Sequence, residues 1–223
     1  MQEQQDLQRV RLTFAKGEAL KYISHLDLAR AWERLFRRAA LPVAYSQGYN
    51  PRPRFQIASG LPVGVTGREE LLDVWLAERL DPGEVVARLR PVSPPGLEVL
   101  AAEEVDLRAP ALQALVRAAD YAVALQATEP AEAIRARAEA LLAAASVPRQ
   151  RHHKGKQQSY DLRPLIQSLA VRPFPGGDGI LLEMRLQASA EGAGRPDQVL
   201  EVLGLSLAAR GVERTKLHFD FDK

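Results

Sequence analysis

Residues 9–15, Arg-Val-Arg-Leu-Thr-Phe-Ala, alternate polar and apolar side chains. That period predicts a half-buried strand. Lys16-Gly17-Glu18 reads as a turn, and Ser24 opens a helix with Asp27 three residues on, a capping box with Asp in place of Glu. Leu28, Trp32, Leu35, Phe36 and Ala39 recur at helical spacing to about Ala40, and Pro42 stops continuation. A Pro-, Gly- and Asn-rich loop fills 41–54. Strands are expected over 55–60 and 71–77, a short helix from Asp81-Pro82-Gly83-Glu84 to Leu89, and a strand over 97–105. The order is β-α-β-β-α-β.

The second half repeats it. Residues 121–126 alternate as a strand, and 132–145 form an Ala-rich helix ended before Pro148. A strand over 149–154 leads into a basic loop. Residues 165–172 and 180–187 flank a Pro-Gly-Gly-Asp-Gly turn, 196–209 read as a helix, and 212–221 as a last alternating strand. The predicted fold class is α+β: two tandem ferredoxin-like (β-α-β-β-α-β) halves with antiparallel sheets, an N-terminal one over 9–106 and a C-terminal one over 119–223.

Composition narrows the chemistry. The chain has 223 residues, 30 Lys+Arg against 28 Asp+Glu, and no cysteine. It therefore supplies no disulfide, thiolate nucleophile or cysteine-held zinc or iron–sulfur site. The first residues lack the apolar core of a secretory signal, and no run approaches the ~18 apolar residues that span a bilayer. A cytoplasmic protein with no membrane partner is expected.

The net charge of +2 is a cancellation. Residues 20–60 carry seven basic side chains against Asp27 and Glu33, and 147–172 carry six against Asp161. Each segment is +5, and the rest of the chain is −8. Arg30, Arg34, Arg37 and Arg38 form one helical stripe, although like charges at i, i+4 repel by a few tenths of a kcal/mol. The plain alternative is a solvated face paired with acids such as Glu33 or Glu69. The loop that follows interleaves Tyr45, Tyr49 and Asn50 with Arg52 and Arg54. Rings for stacking beside forked phosphate donors suit single-stranded nucleic acid. Arg149, Arg151, Lys154, Lys156 and Arg163 form a second candidate backbone clamp. The alternatives here are a rigid connecting loop and a surface loop.

Catalytic signals are thin. The four histidines show no metal-ligand spacing, so no metal is expected. His25, beside Tyr22 and with Tyr49 further on, is a candidate general base toward an RNA 2′-hydroxyl; the plain alternative is an exposed first-turn residue.

The run Phe14-x-Lys16-Gly17, Tyr22-Ile23-Ser24-His25-Leu26-Asp27-Leu28, Arg34, Arg37-Arg38-Ala39, Leu41-Pro42 and Tyr45 through Pro53 resembles the radical-SAM-linked domain family, a bacterial domain of unknown function. Leu61-Pro62-Val63-Gly64 and Glu70 also fit, as do Lys154-Gly155-Lys156 and Asp161-Leu162-Arg163-Pro164. Tyr49 stands where that family commonly has Phe. The resemblance implies work beside a radical SAM enzyme in an RNA-related setting, with the iron–sulfur cluster and S-adenosylmethionine on that partner and no cofactor here. It carries over no catalytic residue. The expected function is thus an RNA-binding accessory protein acting in tRNA or rRNA modification or processing, without catalysis of its own. Two alternatives stand: a metal-independent endoribonuclease using His25, like CRISPR repeat-processing enzymes in architecture, and a protein adaptor that binds no RNA.

Overall fold

The structure is a computed structural model that describes residues 8–126, 129–153, 156–175 and 179–221; the side chains of 151–153 and 156 lie outside the description. The chain is mixed α+β, its strands paired mostly antiparallel, and divides into two compact units, Met1–Val116 and Arg117–Lys223.

The first unit runs β1 (Gln8–Lys16), α1 (His25–Arg38), β2 (Phe55–Ile57), β3 (Val65–Leu76), α2 (Pro82–Leu89), β4 (Leu97–Val105) and a single turn, α3 (Leu112–Leu115). Its strands lie in the order β4-β1-β3-β2, each antiparallel to its neighbour. Val10, Leu12 and Phe14 of β1 and Leu72, Val74 and Leu76 of β3 turn one face toward α1 and α2. There Phe14 meets Trp32 edge-on at 5.1 Å, and Phe36 meets Phe55 at 5.5 Å.

The alternation of β1 promised one wet face, but the structure buries both. Arg9 and Arg11 stand opposite Trp75 and Asp73 on β3. Asp73 accepts hydrogen bonds from Arg9 Nε at 3.0 Å and from Arg11 Nε at 2.8 Å. Arg9 also donates to the carbonyls of Ala109 at 2.6 Å and Pro110 at 2.9 Å. These guanidiniums leave water because a carboxylate and two carbonyls replace their hydration. Lys16, expected in a turn, is the last residue of β1 and only 1 % exposed.

Local chemistry sets the ends of α1. Ser24 is the N-cap: its Oγ accepts from the Asp27 N–H at 3.1 Å and donates to the Asp27 carboxylate at 2.7 Å. Asp27 thus holds the Ser24 hydroxyl, where a longer Glu would reach the backbone N–H of the cap. At the far end Leu41 N–H bonds Phe36 O and Ala40 N–H bonds Arg37 O, a Schellman closure with Ala40 at φ 48°. A Cβ in that left-handed region is strained.

The second unit runs β5 (Val116–Leu125), α4 (Ala131–Ala143), β6 (Pro148–His153), β7 (Lys156–Asp161), β8 (Ile166–Pro173), β9 (Ile180–Ser189), β10 (Gly192–Ala193), α5 (Pro196–Val202) and β11 (Ala209–Phe219). Strand β5 lies between β11 and β9, β8 pairs with β9, and β6 with β7 forms a separate hairpin. Two expectations are corrected. The basic stretch after 154 is largely the second strand of that hairpin. The helix expected over 196–209 stops at Val202, because Gly204 takes φ 69° and lets Leu205 N–H bond back to Leu200 O. Among the described residues no helix is long and apolar enough to cross a membrane.

Asp73→Ala leaves two buried guanidiniums without their carboxylate and is expected to cost about 3–5 kcal/mol in urea unfolding. Ala40→Gly removes the left-handed strain and is expected to add about 1 kcal/mol in the same measurement.

Candidate nucleic-acid interface

Helix α1 carries the basic stripe on the side away from Trp32 and Phe36. Arg30, Arg34, Arg37 and Arg38 are all exposed. Arg30 bonds Asp27 at 3.0 Å. Among the described residues, the side chains of Arg34, Arg37 and Arg38 meet no acid or other hydrogen-bond partner, which removes Glu33 and Glu69 as counter-charges for them. The contrast with Arg79, Arg88, Arg137, Arg172 and Arg185, each paired with a carboxylate, sets the stripe apart.

The stripe is a ridge between two grooves. On one side Arg30 and Arg37 face the loop after α1 across a groove of about 760 Å³, walled by Leu26, Ala29 and Glu33 on the helix and by Tyr45, Pro51, Arg52 and Pro53 on the loop. On the other, Arg34 and Arg38 rim a smaller, mostly apolar groove of about 230 Å³ over Leu20, Ile23, Val92 and Pro94.

The loop's two ends are tied. Ser46 N–H bonds Arg52 O at 2.8 Å and Arg52 N–H bonds Ser46 Oγ at 3.0 Å. Ala44 N–H bonds Trp75 O and Trp75 N–H bonds Arg54 O, which fixes both ends of the loop to β3. The structure thus brings Arg30, Arg37, Tyr45 and Arg52 together. Tyr49, fully exposed, and Asn50 lie at the tip and do not wall the groove. Arg54 stacks over the Trp75 ring, 5.2 Å from its centroid, which draws it from the groove.

The corner at the start of α1 gathers motifs that lie far apart in sequence. Lys16 Nζ donates to the carbonyls of Lys21 at 3.2 Å and Val65 at 3.1 Å, and Gly64 N–H donates to the same Lys21 carbonyl. Gly67 packs so tightly that a Cβ there would meet Glu70 Cγ at 2.7 Å. His25 lies against Gly60, and Tyr22, 75 % exposed, lies beside Gly64. Among the described residues, no hydrogen bond orients the His25 imidazole.

Arg149 and Arg163 of the second basic segment are engaged within their own unit. Arg149 pairs with Glu201 and donates to Gln198. Arg163 donates to the carbonyls of Leu142 at 2.9 Å and Ile166 at 2.8 Å, so it closes the end of α4. Asp161 accepts from the N–H groups of Val147 and Arg163, and these hold its carboxyl below the usual range. The Asp161-Leu162-Arg163-Pro164 motif is a latch at the foot of the hairpin. Lys154 and the side chains of Arg151 and Lys156 lie outside the described residues, as do Lys154-Gly155 and the Gly176-Gly177-Asp178 turn.

One further polar cluster sits on the second unit's sheet. Asp120 accepts from Arg185 Nε at 2.6 Å and His218 Nε2 at 2.8 Å. Desolvation pushes the Asp120 carboxyl up, but Arg185 and His218 together bring it below the usual range. Among the described residues, no group of three or more His, Asp and Glu is placed to hold a metal ion.

Sequence reasoning missed Leu26, Pro51 and Pro53 as walls of the groove, and Ser46 as the tie of its loop. The one available signal was helical: Leu26, Glu33 and Arg37 fall on the same side of α1 as Arg30.

The chain belongs to a bacterial family. The DUF2344 family, described as "Uncharacterized protein conserved in bacteria", matches residues 9–196. No curated protein matches. Two solved structures are similar at 12 % identity: a chain in the crystal structure of a Cbf5-Nop10-Gar1 complex (TM-score 0.49, over 95 % of this chain and 49 % of that one), and a chain in the archaeal box H/ACA sRNP Nop10-Cbf5 complex (TM-score 0.45, over 96 % and 48 %). The chain spans about half the length of each, and at these values the likeness carries no functional argument.

Asp27 links the cap to the stripe. Its hydrogen bond from Ser24, then that from Arg30, hold its carboxyl below the usual range. A lowered folded-state pKa contributes stability above the unfolded value and loses it as pH falls through the folded one. The stability advantage of the wild type over Asp27→Asn, read by urea unfolding, is therefore expected at neutral pH and expected to vanish in acid.

Proposed function

We propose that this protein is an RNA-binding accessory protein with no reaction of its own. It works beside a radical SAM enzyme that carries the iron–sulfur cluster and S-adenosylmethionine, in the modification or processing of tRNA or rRNA. One observation carries the RNA part. Arg34, Arg37 and Arg38 stand exposed and, among the described residues, unpaired on one helix edge, beside a groove walled by Tyr45, two prolines and Arg52. Three like charges without counter-charges are a net electrostatic cost unless an anion is bound. The rings and flat proline faces suit a splayed base better than duplex.

We also read both units as ferredoxin-like halves. Supporting this, β4-β1-β3-β2 and β11-β5-β9-β8 correspond strand for strand, with the β6–β7 hairpin as an insertion after α4. The radical SAM partner rests on the sequence resemblance. The adaptor reading has one observation in its favour: Tyr22, in the turn before α1, and Leu26, in the first turn of α1, are both largely exposed. The endoribonuclease reading rests on His25, with no carboxylate among the described residues to orient the ring.

Fluorescence anisotropy with a labelled single-stranded RNA tests the main reading. Binding is expected at low salt and is expected to weaken steeply as salt rises. The Arg34/Arg37/Arg38→Ala triple variant is expected to lose at least about tenfold in affinity and to flatten the log–log salt slope by about 2, near 0.7 for each lost phosphate contact. Absence of binding at low salt, or a triple variant that binds like wild type, rejects the reading. Cleavage of that RNA in chelator by wild type but not by His25→Ala favours the endoribonuclease instead.

A further inference from the structure

The RNA groove contains a feature that a simple phosphate cradle would not have. Glu33 lies half-buried in its wall, three residues after Arg30 and four before Arg37. Those are the helical positions at which a glutamate ordinarily pairs with a cation. No pair forms: Arg30 turns to Asp27 at 3.0 Å, and among the described residues neither Glu33 nor Arg37 makes a side-chain bond. A carboxylate thus faces a groove whose other charged side chains, Arg30, Arg37 and Arg52, attract anions. It opposes phosphate, and both of its oxygens are open to N–H donors of a ligand.

We propose that Glu33 is a specificity residue that reads a guanine seated in this groove, an inference that rests on the RNA reading above. Two carboxylate oxygens match two parallel donors on one edge of a ligand. Guanine offers N1–H and the 2-amino group side by side. Adenine and cytosine set a ring acceptor next to their amino group, and uracil sets its single N–H between two carbonyls, so each turns a repelling lone pair toward the second oxygen. Tyr45 and the Pro51 and Pro53 faces flank the seat, and Arg30, Arg37 and Arg52 surround it for the adjoining phosphates. The groove's volume of about 760 Å³ lies in the range of ligand sites, roughly 300–1,000 Å³. A free guanine nucleotide presents the same base and a phosphate, so the test separates the two sources.

The test compares, at low salt, hexauridine, a uridine hexamer with one internal guanosine, and the same hexamer with inosine, which keeps N1–H and lacks the 2-amino group. Fluorescence anisotropy is expected to show the guanosine hexamer binding about tenfold tighter than hexauridine, with inosine losing most of that gain. Glu33→Ala is expected to abolish the preference and to raise hexauridine affinity, because a negative charge leaves the groove. It breaks no side-chain bond, and circular dichroism checks its fold. Equal binding of the hexamers by wild type, or a preference that survives Glu33→Ala, overturns the role of Glu33 and leaves RNA binding standing. Failure of every hexamer to bind rejects the RNA reading together with it. GMP binding as tightly as the guanosine hexamer makes the groove a free-nucleotide site and also overturns the proposal.

Discussion

Asp73 holds one negative charge between two guanidiniums where water does not reach, and much of the first unit depends on it. The carboxylate joins β3 to Arg9 and Arg11 of β1, and Arg9 carries the link on to the carbonyls of Ala109 and Pro110. Arg9 also lies over the ring of Trp75, which receives Arg54 as well. Trp75 anchors both ends of the loop after α1 through its backbone. A buried ionic knot of this kind is weak evidence for stability, since desolvation offsets much of the attraction. Its service here is geometric: it sets the strand register and, through Trp75, the place where the groove's second wall begins.

The stripe on α1 shows the opposite electrostatic choice. Many arginines around the molecule meet carboxylates, and Arg9 and Arg11 do so even in the core. Arg34, Arg37 and Arg38 do not, and Glu33, well placed for Arg37, does not serve them either. The helix can carry this repulsion because its stability comes from its other side. Trp32, Leu35 and Phe36 are buried, Ser24 caps the start, and the last two arginines lie where the helix dipole favours positive charge.

Elements whose signal is local were legible in the residues. Ser24 and the apolar spacing from Leu28 to Phe36 place α1, and alternation places β1 and β11. Where long-range contacts decide, local signals fail. Lys16 sits in a turn-like tripeptide, yet its ammonium is buried because carbonyls 5 and 49 residues away receive it. Arg163, a phosphate-ligand candidate by its charge and neighbours, also braces α4 through carbonyls that its local sequence does not announce. The helix read past Gly204 errs differently, since the glycine itself was the available stop signal.

By itself the sequence determined the succession of strands and helices, the absence of thiol chemistry and the existence of the arginine stripe. These follow from periodicity, composition and spacing, which neighbouring residues fix. Only the tertiary structure decided which charges are neutralised. Whether an arginine meets a carboxylate depends on strands and loops brought together from distant parts of the chain. The same long-range geometry joined Tyr45 and Arg52 to Arg30 and Arg37 across one groove, and left Glu33 facing into it.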